Sequence, residues 1–229
     1  MVDEKGRKIA IDCALFGYEK TAQTLQVLLM AADQHPSKQR WLLPGGFLQP
    51  LEDCTSAAAR VLEEETGISD VYLEQLFTFS EPSRDPRGPS ISVAYYGLIP
   101  YEASRELSPG KDSLGLGWFS IEELPALLFD HKEILSTAIQ RLRNKIAYAP
   151  LGFELLPETF TMAQLQRFHE TILGRTIERR KFRRRIMDLK IIEDTGEKER
   201  DVSHRPATLY RLHQDTYKTL LQEGYPFEF

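Results

Sequence analysis

The stretch RVLEEETG, residues 60 to 67, sets Glu63, Glu64 and Glu65 close behind Arg60 and ends on Gly67. Carboxylates gathered on one helix face suit magnesium, a hard cation that takes oxygen ligands and the oxygens of bound phosphates. Such an ion neutralises a diphosphate and activates the water that attacks it. On a helix, residue 61 lies beside residues 64 and 65. Glu63 is turned from residue 61 by about 200° and projects from the opposite face. Val61 therefore shares a face with Glu64 and Glu65 and adds no oxygen to it. Two carboxylates on one face offer a metal weak binding at Glu64 and Glu65, or none.

Two further groups of residues carry chemistry. In SRDPRG (83 to 88), Arg84 and Arg87 offer planar forks that grip a phosphate or carboxylate through paired bonds, and Asp85 stands between them to orient one. The same residues also make an ordinary exposed turn, since Asp-Pro and Arg-Gly are common turn pairs. ERRKFRRRIMDLK (178 to 190) holds seven basic and two acidic residues. The net charge of -5 conceals it: residues 151–229 carry 14 Lys+Arg against 13 Asp+Glu, and residues 1–150 carry 15 against 21. One dense basic helix in an acidic chain points to a localised polyanion site, although a solvated surface helix has the same composition.

The elements that must position these residues follow from pattern. KIAIDCALFGY (8 to 18), LQVLLMA (25 to 31), VYLEQLFTF (71 to 79) and SISVAYYGLI (90 to 99) read as strands, with a short one at LGLGWFS (114 to 120). WLLPGG (41 to 46) enters a glycine turn. TSAAARVLEEETG (55 to 67) reads as a helix capped by Thr55 or Ser56 and stopped by Gly67. A second helix is predicted over 131 to 148, with Ile134, Leu135, Ala138, Ile139, Leu142 and Ile146 on one face. APLGFELLPETF breaks that pattern, so two domains are expected, 1–150 and 151–229. In the second, Thr161 and Gln164 form a T-x-x-Q capping box, Leu165, Phe168 and Ile172 line the helix, and Gly174 ends it. A three-residue turn leads to the basic helix, whose buried stripe is Phe182, Ile186 and Leu189. KIIEDTG and RPATLYRL then form a hairpin. Helix, turn, basic helix and hairpin, in that order, make a winged helix-turn-helix.

Composition sets the frame. The chain has 229 residues, 41% hydrophobic and 28% charged, ordinary for a globular protein. No apolar run approaches the ~20 residues of a membrane span, and MVDEKGRKIAID has no signal-peptide core. The two cysteines, Cys13 and Cys54, are too few for a disulfide framework. A cytoplasmic protein with free thiols is expected.

From Gly46 the spacing runs five residues to Glu52, seven more to Arg60, then Val61-Leu62-Glu63-Glu64-Glu65-Thr66-Gly67-Ile68. This resembles the Nudix box, G-x5-E-x7-R-E-U-x-E-E-x-G-U, where U is a bulky aliphatic. Gly46, Glu52, Arg60, Leu62, Glu64, Glu65, Gly67 and Ile68 match, and Val61 stands where the box has glutamate. The resemblance implies an α/β Nudix fold, an α/β/α sandwich with a mixed sheet. In catalytic members it implies metal-assisted cleavage of a nucleoside diphosphate linked to another group. SRDPRG, followed by SISVAYYGLI and FDH (129 to 131), is similar to the branch holding ADP-ribose pyrophosphatases and the NrtR-like Nudix-related transcriptional regulators. The regulators carry a winged helix after the Nudix domain, and KFRRRIMDLKII with HRPATLYRL resembles their recognition helix and wing. The resemblance covers nearly the whole chain. Some members respond to ADP-ribose and control NAD metabolism; others, with altered boxes, respond to sugars such as arabinose, and Arg60-Val61 resembles the second kind.

The expectation is thus a DNA-binding transcriptional regulator, a Nudix α/β domain followed by an α+β winged helix. Its first domain senses a sugar such as arabinose, or ADP-ribose, through Gly45, Gly46, Arg84, Asp85 and Arg87. No catalytic residue is assigned; Gly46, Glu52, Arg60, Glu64 and Glu65 stand as a remnant of the box. No cofactor is required, with magnesium at Glu64 and Glu65 only if hydrolysis survives. On the basic helix, Arg180, Arg183 and Arg184 point outward with Lys181 at the edge, and arginine reads guanine O6 and N7 bidentately in the major groove. Arg179 and Arg185 flank the buried stripe and suit phosphate or domain contacts. His204 and Arg205 lie at the hairpin tip, Arg205 against a phosphate or the minor groove. The expected partners are operator DNA and a second copy of the chain, with recognition helices about one DNA turn apart, ~34 Å, and no membrane. The competing reading is a Nudix pyrophosphohydrolase acting on ADP-ribose or a sugar nucleotide, its C-terminal domain used for dimerisation. A third reading combines the two, slow hydrolysis removing the effector.

Overall fold

A computed structural model describes residues 8–19, 23–32, 40–69, 71–99, 115–148, 152–200 and 205–223. The chain divides into two compact units, Met1–Gly17 with Thr24–Arg141, and Tyr18–Gln23 with Leu142–Phe229. Among the described residues no helix is long and apolar enough to cross a membrane.

In the first unit a mixed sheet of seven strands, counted among the described residues, carries the site. The strands are β1 (Lys8–Glu19), β2 (Thr24–Ala31), β3 (Trp41–Leu42), β4 (Gly45–Phe47), β5 (Tyr72–Phe79), β6 (Ser90–Leu98) and β7 (Leu116–Ser120). Their order is β3-β2-β1-β6-β5, with β4 also pairing β1 and β7 pairing β2. β1 and β6 run parallel, from Lys8 opposite Ser90 to Phe16 opposite Leu98. The pairings of β3, β4, β5 and β7 are antiparallel. β1 is buried along almost its whole length. That suits a central strand covered on both faces, and explains its near-continuous apolar sequence. Asp12 is the exception in that run.

α1 (Cys54–Thr66) buries Ala57, Ala58, Val61 and Leu62. Ala57, Ala58 and Leu62 share a core with Ile11, Cys13 and Leu15 of β1 and Tyr95 of β6. The cap of α1 is Asp53, not Thr55 or Ser56 as the sequence suggested. Its carboxylate accepts the backbone N–H of both Thr55 (2.9 Å) and Ser56 (3.0 Å). Ser56 Oγ itself donates to Asp53 (2.7 Å), so one predicted cap serves the real one. One charged oxygen, Oδ1, accepts both of these orphan N–H groups, and its charge makes each bond stronger than one to a neutral hydroxyl. Gly67, at φ 71°, closes the helix in the left-handed conformation, as its position implied. α2 (His131–Tyr148) buries Ile134, Leu135, Ala138, Leu142 and Ile146, while Ile139 is only half-buried.

The second unit contains a 3-10 turn at Phe153–Leu155, β8 (Phe160–Thr161), α3 (Met162–Leu173), α4 (Arg179–Leu189), β9 (Ile192–Lys198), β10 (Thr208–Leu212) and α5 (Gln214–Glu223). The capping box is present: Thr161 Oγ accepts Gln164 N–H at 3.1 Å, and Gln164 Oε1 accepts Thr161 N–H at 2.8 Å. The hairpin of β9 and β10 is antiparallel, and β8 adds a third strand to it in the order β8-β10-β9. The sequence pattern predicts neither β8 nor α5, the first because two residues hold no period. Phe182, Ile186 and Leu189 are buried and form the inner stripe of α4.

Candidate functional site

The glutamate helix is built as a clamp. Arg60 Nε and Nη2 reach the two carboxylate oxygens of Glu52 at 2.7 and 2.8 Å. The same guanidinium donates to Phe47 O at 3.1 Å and to Glu64 at 2.8 Å. Glu52 also accepts the backbone N–H of Gln49 at 3.1 Å. Those hydrogen bonds, Arg60 first, hold the Glu52 carboxyl below its usual range and raise Arg60 above its own. The clamp ties the loop after β4 to α1. Val61 is 1% exposed, and a Cβ on Gly46 would come within 2.9 Å of its side chain. Valine here is thus more than a missing ligand: it fills the space under a glycine that has no room for a side chain.

The donor set does not fit a magnesium site. Glu52 gives both carboxylate oxygens to Arg60 and Glu64 gives one, position 61 offers no oxygen, Glu63 is exposed and Glu65 half-buried. Among the described residues no three His, Cys, Asp or Glu side chains come together to hold a metal.

Gly45, Gly46, Arg84, Asp85 and Arg87 all line one cavity of about 140 Å3 beside β1 and β4, together with Asp12, Phe129 and His131. The roles of its two arginines differ. Arg84 is 6% exposed and lies in a buried network. Its Nε and Nη2 bond both oxygens of Asp130 at 2.8 Å, Nη2 also reaches Asp12 at 3.2 Å, and Nη1 reaches Ser90 at 3.1 Å. The paired face expected to grip a ligand is therefore spent on Asp130. Asp12 is held further by Ser92 Oγ at 2.6 Å and lies 3.5 Å from His131 Nε2. His131 Nδ1 accepts Leu43 N–H at 2.9 Å, so the neutral ring carries its proton on Nε2, toward Asp12. Burial lowers the His131 pKa and keeps that form, against the opposing pull of Asp12. Gly45 is the register partner of Asp12, and a Cβ there would sit 2.5 Å from the Asp12 carboxylate. Only glycine fits.

Arg87 is the more exposed of the two arginines that line the cavity. Its side chain is 64% exposed. Asp85 orients it, accepting Nε at 3.0 Å and Nη2 at 2.8 Å as well as the Arg87 backbone N–H at 2.9 Å. The Arg87 hydrogen bonds hold the Asp85 carboxyl below its usual range, and the ion stays charged. The guanidinium lies 4.5 Å over the Phe129 ring. Phe129 has φ 56°, a left-handed conformation rare for a bulky residue, immediately before Asp130 and His131.

The sequence reading missed Asp12, Ser90, Ser92 and Asp130 as parts of one network. One signal was present: an aspartate inside the apolar run of β1 has to find a partner when buried.

In the second unit, α3 and α4 are joined by a braced turn. Gly174, at φ 66°, ends α3. Glu170 accepts Ile177 N–H at 2.8 Å, and Gln166 Nε2 donates to Ile177 O at 3.0 Å. α4 begins on Glu178, which accepts the N–H groups of Arg180 (2.8 Å) and Lys181 (2.9 Å). Arg179, Arg180, Lys181, Arg183 and Arg184 are exposed, and Arg185 is half-buried. Arg205 is exposed ahead of β10, and His204 lies outside the described residues. Such a helix, anchored by its apolar stripe and bare of acidic groups between Arg179 and Met187, can enter a groove lined by phosphates.

Comparison with known proteins agrees with both halves. Residues 6–142 match the NUDIX domain, and residues 152–212 match the NrtR DNA-binding winged helix domain. The chain is 36% identical over 214 residues to the ADPR responsive transcriptional repressor NtrR of Acinetobacter baylyi, spanning 91% of this chain and 83% of that protein. It is similar to the crystal structure of Shewanella oneidensis NrtR complexed with a 27mer DNA, with a TM-score of 0.74 and 35% identity over 92% of this chain and 95% of that one. The NUDIX domain of Shewanella oneidensis NrtR, in a cocrystal with ADP ribose, matches at TM-score 0.51 and 32% identity over 61% of this chain and 93% of that one. By sequence, by fold and by the order of its two domains, the chain belongs to the NrtR family of transcriptional regulators, a Nudix domain followed by a DNA-binding winged helix.

Proposed function

We propose that this regulator is an ADP-ribose-responsive repressor: a homodimer that binds a pseudo-palindromic operator through α4 and loses affinity for it when ADP-ribose occupies the cavity beside β1 and β4. The observation that carries the reading is the pairing of an exposed arginine row on a braced recognition helix with a cavity that keeps one oriented cation, Arg87. The similar repressor is described as ADPR responsive, and the similar Nudix domain holds ADP ribose. This supports ADP-ribose over a sugar such as arabinose, although Val61 departs from the Nudix box.

In this reading Arg87 meets a phosphate and Arg84 shapes the wall. A cavity of about 140 Å3 is smaller than the ~300–1,000 Å3 usual for a whole drug-sized ligand, so it takes part of the molecule and leaves the rest at its mouth. Glu64 and Glu65 hold no metal that the response needs, no cofactor is required, and hydrolysis is weak or absent. Arg180, Arg183 and Arg184 meet bases and phosphates; Arg179, Lys181, Arg185, His204 and Arg205 serve phosphates or the frame.

The test uses a duplex selected by the full-length chain from a random-sequence library, with calorimetry for ADP-ribose and for arabinose. Changing Arg183→Ala together with Arg184→Ala should abolish specific binding of that duplex and leave ADP-ribose binding intact. Normal duplex binding by the double variant would show that α4 is not the reading helix. Heat from arabinose and none from ADP-ribose would move the effector to the sugars.

A further inference from the structure

Met187 is 46% exposed, the one large hydrophobic side chain of the second unit that stands exposed among the described residues. Its position on α4 gives that exposure a meaning. At about 100° per residue, Arg184 lies about 40° from Arg180 around the helix and Met187 about 20° to its other side. Arg180, Arg184 and Met187 therefore form one outward row, on the side opposite the buried Phe182, Ile186 and Leu189. The row is about 10 Å long, close to three base steps. Its arginine end suits phosphates and guanine. Its far end carries a methionine beside an exposed aspartate, Asp188, and a carboxylate there is unfavourable next to phosphate. Met187 sits in the last turn of the helix, whose end is fixed where Lys190 N–H bonds Met187 O at 3.2 Å.

We propose that Met187 is a specificity-determining residue that reads the C5-methyl group of a thymine in each half-site, about a turn of helix beyond the bases or phosphates met by Arg180 and Arg184. The inference rests on α4 being the DNA-reading helix. In the major groove thymine is marked by an acceptor and a methyl group, and the methyl is recognised only by apolar contact. A flexible, polarizable thioether adapts well to such a contact.

The test replaces each thymine of a duplex selected by the full chain, symmetrically in both half-sites, with deoxyuridine, which lacks only that methyl. Binding is followed by fluorescence anisotropy. For the natural chain, one replacement should weaken binding about fivefold, the scale of one lost base contact. For Met187→Ala, binding of the thymine duplex should fall by a similar factor and the same replacement should have no further effect. Met187→Leu should retain the methyl dependence, and unchanged melting of both variants separates contact from folding. A Met187→Ala variant with natural affinity and an unaltered deoxyuridine profile overturns the proposal while leaving α4 as the reading helix. If no duplex is enriched at all, the DNA-binding reading of α4 fails and this assignment with it.

Discussion

At the scale of single residues, position 61 decides what the glutamate helix can do. A buried valine under Gly46 leaves Arg60, Glu52 and Glu64 as a closed set of ion pairs. Val61→Glu would put a carboxylate at a position that is 1% exposed, and a buried charge without a partner is costly. The variant should melt several degrees lower, and its turnover of ADP-ribose with magnesium should stay far below ordinary enzyme rates, because the new carboxylate would be buried under Gly46. Thermal melting and an assay of AMP release measure the two; turnover by the variant at ordinary enzyme rates would show that position 61 alone withholds hydrolysis. Arg84 makes the opposite case. Arg84→Ala leaves Asp12 and Asp130 without their cation and should cost about 3–5 kcal/mol in denaturant unfolding. Arg84→Lys should recover only part of that, since lysine lacks the planar fork Asp130 uses. Full stability of Arg84→Ala would mean that the network carries no weight.

At the scale of elements, local signals were legible and distant ones were not. The glycine stops at Gly67 and Gly174, the Thr161–Gln164 box and the inner stripe of α4 each lie within a few residues and obey helix rules. The cavity network draws Asp12, Arg84, Ser90 and Asp130 from separate elements, and only the parallel register of β1 and β6 together with the start of α2 makes them neighbours. SRDPRG was visible as a pair of arginines; which one is buried depends on a partner 46 positions away. The brace of Glu170 and Gln166 on Ile177 was hidden likewise, since both look like exposed helix residues in sequence. His169 of α3 adds a pH dependence. It is fully buried among Phe153, Phe168 and Phe182, and burial pushes its pKa from 6.5 to about 4. The folded ring is neutral while the unfolded one takes up a proton below about pH 6.5. Its contribution is therefore complete above that pH and is lost as pH falls toward about 4, by about 3 kcal/mol in all. His131 acts in the same direction. Urea unfolding of the second unit's transition between pH 7 and pH 5 should show this loss, and His169→Gln should flatten the slope. An unchanged slope in the variant would assign the dependence to other groups.

At the scale of the whole molecule, the proposal divides the work between the two units: one holds a cavity with an oriented arginine, the other the helix assigned to DNA. A regulator needs the two to share a free energy, and such coupling is reciprocal: whatever factor ADP-ribose takes from DNA affinity, DNA must take from ADP-ribose affinity. A typical coupling of about 1–3 kcal/mol corresponds to about 5–150-fold. The most direct measurement is therefore the dissociation constant of the full-length chain for its selected duplex, by anisotropy at fixed salt, with and without saturating ADP-ribose. An ADP-ribose-responsive repressor should lose at least about fivefold in affinity, with the same factor recovered when ADP-ribose is titrated into free and DNA-bound protein. Equal affinity of the duplex in both conditions, with ADP-ribose demonstrably bound, would contradict it.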